Sequence, residues 1–266
     1  MSKQLSAHLK EVAERVNVAL DALLPRPEGP ESRLMSALRY SALDGGKRLR
    51  PFFTLETGRM FDADETALLR TAVAIEIVHT YSLIHDDLPC MDDDDLRRGR
   101  PTLHREYGEA MAVLAGDALL TFAFEILADP ATHRDPQMRC LLVSALARAS
   151  GPLGMVAGQA ADMEGAEIGS DLIAVTRMNR LKTGALINFS VDAGALIGCA
   201  AEAEKQALSR YAHDVGLAFQ HEYEITGERT VRMKTTATNG RTTPVSWDLW
   251  PNTRVRTKMS KMMATP

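Results

Sequence analysis

Residues 84–101 read IHDDLPCMDDDDLRRGRP. Six of the ten residues from Asp86 to Asp95 are carboxylates, and three of the next five, Arg97, Arg98 and Arg100, are arginines. Two carboxylates about 5 Å apart repel by roughly 3 kcal/mol at an effective dielectric of ~20. Water or a bound cation must offset that repulsion. Asp86 and Asp87 close a long apolar stretch, so their charge emerges from an apolar wall. Pro89 cannot continue a helix without strain, so the chain is expected to loop before Asp92, and a looped DDxxxxD returns Asp86 and Asp92 toward one point. Hard oxygen ligands of this kind suit Mg²⁺, which keeps several waters and bridges a few carboxylates to phosphate groups. On these residues alone a solvated acidic loop is an equal reading. An EF-hand is a poor match, because its alternate-position ligands and central glycine are missing.

Basic residues recur in three places. Arg97, Arg98 and Arg100 either neutralise the aspartates or bind phosphate, for which the guanidinium fork is well shaped. GGKRLRP (45–51) supplies Lys47, Arg48 and Arg50 beside two glycines, which let backbone approach a ligand closely. It is not a Walker loop, since GxxxxGK[ST] is absent. KTG (182–184) adds Lys182 and the Thr183 hydroxyl inside an apolar stretch. Any one of these is more often a surface feature than a site. Together they suggest carboxylates for a metal and cations for more than one phosphate group.

Helices must position these groups. Ala and Leu abound while aromatics make up 5% of 266 residues, which favours helix over sheet. Leu5, Leu9, Val12, Val16 and Leu20 recur at helical spacing over 4–24. PRPEGPE breaks that helix, and a second spans 32–43. Residues 66–85 and 108–127 are apolar nearly all round, which predicts two buried helices. An amphipathic pattern covers 200–220. No alternating apolar run, no Asn-Gly hairpin and no repeat is present, so the predicted fold is all-α, one helical bundle rather than two domains. After Gln220 the composition shifts. Residues 221–266 carry ten threonines, both tryptophans and eight Lys/Arg against four Asp/Glu, without apolar periodicity. We therefore divide the domain into the bundle, 1–220, and a divergent, irregular segment, 221–266.

The net charge of −4 argues against a nucleic-acid partner. Cys90, Cys140 and Cys199 have no CxxC spacing, so neither disulfides nor zinc are expected, and a reducing cytoplasm fits. The charged N-terminal stretch is unlike a signal peptide. No run of eighteen uncharged apolar residues predicts a membrane span.

GGKRLRP, HTYSLIHDDLPCMDDDDLRRGRPT, AGDALL, GQAADME, KTGALI and GLAFQ follow one another in an order and spacing that resembles the short-chain polyprenyl diphosphate synthases, most nearly the bacterial farnesyl diphosphate synthases. The resemblance covers about residues 5–220 and is most specific in the aspartate run with its RRGRPT. It implies an all-α bundle around a deep apolar cavity, usually homodimeric, that condenses isopentenyl diphosphate with an allylic diphosphate, dimethylallyl or geranyl. By the same resemblance Asp86 and Asp92 ligate Mg²⁺ and Asp87 supports them, while Arg97, Lys182 and Thr183 hold the allylic diphosphate. Lys47, Arg50, His79 and Arg98 grip isopentenyl diphosphate, Gly46 allows close approach, and Gln159 and Gln220 line the reaction site. A histidine on a buried helix is also commonly a satisfied core residue, so the reading of His79 rests on the family match. Tyr81, five positions before Asp86, corresponds to the floor that sets a C15 product. The family's second aspartate motif, after FQ, is replaced by HEYE with Glu222 and Glu224. The alternative is therefore a homologue of the same fold that binds Mg²⁺ and diphosphate with little turnover, or a non-catalytic subunit. A cyclase is disfavoured, because a site for isopentenyl diphosphate has no use there.

Overall fold

A computed structural model describes the backbone of residues 3–164 and 172–226, with side chains over 4–164 and 173–216. Its elements in chain order are α1 (Lys3–Leu23), α2 (Ser32–Ala42), α3 (Leu49–Arg59), α4 (Glu65–Asp86), β1 (Leu96–Arg97), β2 (Arg100–Pro101), α5 (Leu103–Tyr107), α6 (Glu109–Ala128), α7 (Pro136–Ser150), α8 (Met155–Met163), α9 (Leu172–Asn179), a π-helical turn (Arg180–Gly184), α10 (Ala185–Ile197) and α11 (Glu202–Thr226). The all-α expectation holds.

The apolar period of α1 becomes its core face. Val12, Val16 and Leu20 are at most 1% exposed, and Leu5 and Leu9 pack at the core's edge. The start of α4 is fixed by Asp64, whose carboxylate accepts from the Ala67 N–H at 2.8 Å. Helix α4 is then enclosed by α3, α6 and α10 and is the central post of the bundle. Its burial accounts for an apolar sequence without a polar face. A second small cluster, including Met60, Val191, Leu208 and Ala212, joins α10 to α11.

Three expectations need correction. Helix α6 is only half enclosed: Ala112, Ala115 and Leu119 are buried, while Val113 and Leu114 are 40% and 54% exposed. By length and hydropathy α4, α6 and the stretch 136–163 match membrane spans, despite the charges within them. The α4 window is 72% buried inside the bundle, and the third stretch is broken between Ser150 and Met155, leaving pieces shorter than the ~20 residues a span needs. The sequence also gave no sign of a sheet, yet β1 and β2 form an antiparallel hairpin pairing Leu96 with Pro101 and Arg97 with Arg100. Its turn uses positive φ at Arg98 (54°) and Gly99 (81°), the geometry that suits a two-residue hairpin. Finally, α11 runs six residues past Gln220, to Thr226. Residues 227–266 lie outside the described residues, so the irregular segment expected there is untested.

Candidate active site

The aspartate run forms a tight loop capping the end of α4. The Asp92 N–H donates to the Asp86 carbonyl at 2.8 Å, and the Met91 and Asp93 N–H groups donate to Leu88 O at 2.8 and 3.1 Å. Asp93 takes φ 52° to make the turn. The expected return of Asp92 to Asp86 is thus written in the backbone. From the far side, the Thr102 hydroxyl donates to Asp94 O at 2.8 Å and the His104 ring meets the same oxygen at 3.0 Å.

The acidic residues divide into two classes. Asp87 is 3% exposed and is forked by Arg97, whose Nε lies 2.7 and 2.9 Å from its two oxygens. Arg97 also reaches Asp94 at 3.1 Å. Burial raises the Asp87 carboxyl above its usual range, outweighing the opposing pull of the Arg97 fork. Asp86 and Asp92 are half-buried, and the loop's closing backbone bond brings the two residues to one point. Among the described residues no three His, Cys, Asp or Glu side chains converge as a closed metal cage. Two carboxylates with Asp87 already paired suit an ion that takes the rest of its shell from water and phosphate, so the donor set fits Mg²⁺.

The basic constellations come together through the hairpin. Arg98 Nη1 donates to the Gly45 carbonyl. Its guanidinium lies against Gly46 so closely that a Cβ there would sit 2.8 Å from it, and Gly46 itself has φ 116°. The approach expected at Gly46 is therefore made by Arg98. Arg48 is buried instead of facing a ligand: its side chain is 1% exposed and bonds Glu76 at 2.6 Å, Asn17 at 2.9 Å and Ala42 O at 2.8 Å. With Arg48 anchored in the left-handed region (φ 47°), Lys47 is left exposed on the same loop and Arg50 follows in the first turn of α3.

His79 keeps some accessible surface but is packed deeply within the bundle. Desolvation, then the charges of Arg50, Arg98, Arg48 and Arg97, drive its imidazole well below the usual 6.5. It is neutral at neutral pH and belongs with Arg50 and Arg98. Two residues further along α4, Tyr81 is 6% exposed, and its hydroxyl is raised to about 12 by burial and by Asp86. Tyr81 stands edge-on to His85 with ring centroids 5.7 Å apart.

A separate polar cluster is built by α8 and the π-helical turn. Lys182 Nζ meets Asp162 Oδ2 at 2.5 Å. A Cβ on Gly158 would lie 2.1 Å from the Lys182 backbone nitrogen, so glycine permits this crossing. Gln159 is half-buried on α8 beside it, and Thr183 is half-buried in the π-helical turn. Such turns insert an extra residue and are frequent at functional sites. The Gln220, Glu222 and Glu224 side chains lie outside the described residues. A cavity of about 560 Å³ opens between the π-helical turn, α10 and α11, lined by Arg180, Asn188, Arg210 and His213 among others. It contains none of the residues singled out from the sequence.

Sequence reasoning passed over Asp162, Asp44, Tyr40 and Glu76. Asp162 lay in the quoted GQAADME, three residues after Gln159, one helical turn along the same face. Glu76 carried no signal, because its partner is distant in sequence.

The polyprenyl synthetase family profile matches residues 31–223. Farnesyl diphosphate synthase of Geobacillus stearothermophilus is 50% identical over 213 residues, which are 80% of this chain and 71% of that protein. The Escherichia coli farnesyl diphosphate synthase is 45% identical over 222 residues, 82% of this chain and 73% of the relative. Among solved structures, an FPP/GFPP synthase from Zymomonas mobilis superposes with a TM-score of 0.80 at 42% identity, over 98% of this chain and 90% of its own. Matching motifs, an all-α bundle and relatives at this identity lead to one conclusion: the chain belongs to the polyprenyl synthetase family.

Proposed function

We propose that this protein condenses isopentenyl diphosphate with dimethylallyl or geranyl diphosphate, releasing pyrophosphate and ending at farnesyl diphosphate. The observation that carries this is the division of one site into two unlike walls. Asp86 and Asp92 form a carboxylate wall suited to a metal-bound diphosphate. Lys47, Arg50, Arg98 and neutral His79 form a cationic wall for a second diphosphate. Desolvation and the neighbouring Arg48 depress Arg98 from its usual range, so an anion bound there relieves an existing positive field.

In the allylic substrate the C1–O bond breaks, the bonding pair leaves with pyrophosphate, and a resonance-stabilised cation remains. The terminal double bond of isopentenyl diphosphate attacks that carbon, and the departed pyrophosphate takes the proton lost as the new double bond forms. Mg²⁺, held by Asp86 and Asp92, would supply the positive charge that makes pyrophosphate a good leaving group. Arg97 fixes Asp87 and thereby the start of the aspartate loop. Lys182, steadied by Asp162, and the Thr183 hydroxyl would complete the allylic diphosphate site, with Gln159 and Gln220 near the reacting carbons. Tyr81 would stop the growing chain at C15. Exposed Val113 and Leu114 on α6 and Leu141 on α7 support a second copy of the chain as partner.

Labelled isopentenyl diphosphate with geranyl diphosphate tests the reading. The expected result is C15 product with Mg²⁺ and none with chelator. Absence of product at millimolar Mg²⁺ would refute it.

A further inference from the structure

We infer that Asp44 and Arg100 form a latch that positions Arg98 for isopentenyl diphosphate, although neither residue needs to touch that substrate. The inference rests on the reading of Arg98 given above. Arg98 sits at the tip of a hairpin whose strands are two residues each, and so short a ribbon has little rigidity of its own. Three contacts tie its far strand to the end of α2 and the loop that follows. Arg100 Nη1 bonds Asp44 Oδ1 at 2.5 Å, the Arg100 guanidinium lies 4.2 Å from the centroid of the Tyr40 ring, and the Tyr40 hydroxyl donates to Pro101 O at 2.9 Å. Tyr40 is itself set edge-on to Tyr107, with centroids 5.6 Å apart, which fixes its ring. Asp44 immediately precedes Gly45, whose carbonyl receives Arg98, and Gly46, on which the guanidinium rests. The latch therefore couples the GGKRLRP loop to the RRGRP hairpin, and the two basic stretches become one anion site.

A positioning role predicts a selective defect. Asp44→Asn and Arg100→Gln remove the same ion pair from opposite sides and should shift binding in the same direction, Arg100→Gln at least as far because it also loses the stack on Tyr40. We expect about tenfold weaker binding of isopentenyl diphosphate by titration calorimetry, equivalent to ~1.4 kcal/mol. KM for geranyl diphosphate should stay within about twofold and the melting temperature within about 3 °C. In an Arg98→Gln background neither change should weaken binding further, because their effect passes through Arg98. Equal weakening of both substrates, a loss that persists without Arg98, or no change in isopentenyl diphosphate affinity would each overturn the latch. Calorimetry also separates this inference from the proposed reaction. If the native chain binds isopentenyl diphosphate, and the variants bind it less well, without any product forming, the positioning role stands and the reaction does not. Turnover with unaltered variant affinity gives the reverse. If the native chain does not bind isopentenyl diphosphate, both fall.

Discussion

Replacing Glu76 by alanine would strand a charged guanidinium inside the bundle. Arg48 and Glu76 are 1% and 3% exposed at their side chains, 2.6 Å apart, and Arg48 is further bonded to Asn17 and Ala42. Removing one partner of a buried pair typically costs about 3–5 kcal/mol, because the remaining charge keeps its desolvation penalty without its Coulombic gain. That is a large share of the roughly 5–15 kcal/mol by which domains are stable. At about 2–4 °C per kcal/mol for a chain of this size, the melting temperature should fall by roughly 6–20 °C. Arg48 is also the φ 47° residue from which the Lys47 loop hangs, so KM for isopentenyl diphosphate should rise as well. The paired variant Arg48→Met with Glu76→Leu should regain most of the stability, since it leaves no stranded charge. Calorimetric melting of the three proteins is the assay. A loss below about 1 kcal/mol in Glu76→Ala, or a double variant no better than the single one, would refute the reasoning.

Tyr81→Ala should lengthen the product beyond C15, visible by chromatography of the dephosphorylated alcohols; an unchanged C15 distribution would remove Tyr81 as the floor. Gly158→Ala places a methyl where the Lys182 backbone already lies, so α8 and the π-helical turn must part at a cost of about 1–3 kcal/mol. Turnover should drop at least about tenfold, and a variant within twofold of the native rate would contradict the role of that crossing. Burial raises the Asp192 carboxyl from 3.8 to about 6. Its folded-state value lies above the unfolded one, so its contribution is full below pH 3.8 and is lost as pH rises through about 6. Asp192→Asn should therefore match the native melting temperature at low pH, exceed it increasingly between pH 3.8 and about 6, and hold a constant excess above that. A difference that does not vary with pH would count against it.

Residue periodicity made most of the helical scaffold legible. Val12, Val16 and Leu20 were readable as a core face because their spacing matches the helical turn, and the enclosure of α4 followed from its lack of a polar face. The same argument overstated α6, since an apolar face can await another surface as well as its own core. The hairpin escaped notice because four residues cannot show alternation; only the Arg98-Gly99 turn marks it. At the site, the aspartate loop was legible through Pro89 and the carboxylate spacing. Arg48 was not, because a buried arginine and a ligand-facing one look alike until a distant glutamate is placed beside it. The contact between Arg98 and Gly46 spans fifty-two positions, a distance at which one sequence carries no pairing signal.

Two diphosphates that meet two chemically different walls should differ in the metal dependence of their binding. Titration of each substrate alone, with Mg²⁺ and with chelator, is the measurement. Isopentenyl diphosphate is expected to bind equally well in both conditions, and geranyl diphosphate tightly only with Mg²⁺. Isopentenyl diphosphate binding that collapses in chelator, or geranyl diphosphate binding that ignores Mg²⁺, would contradict the division into two walls.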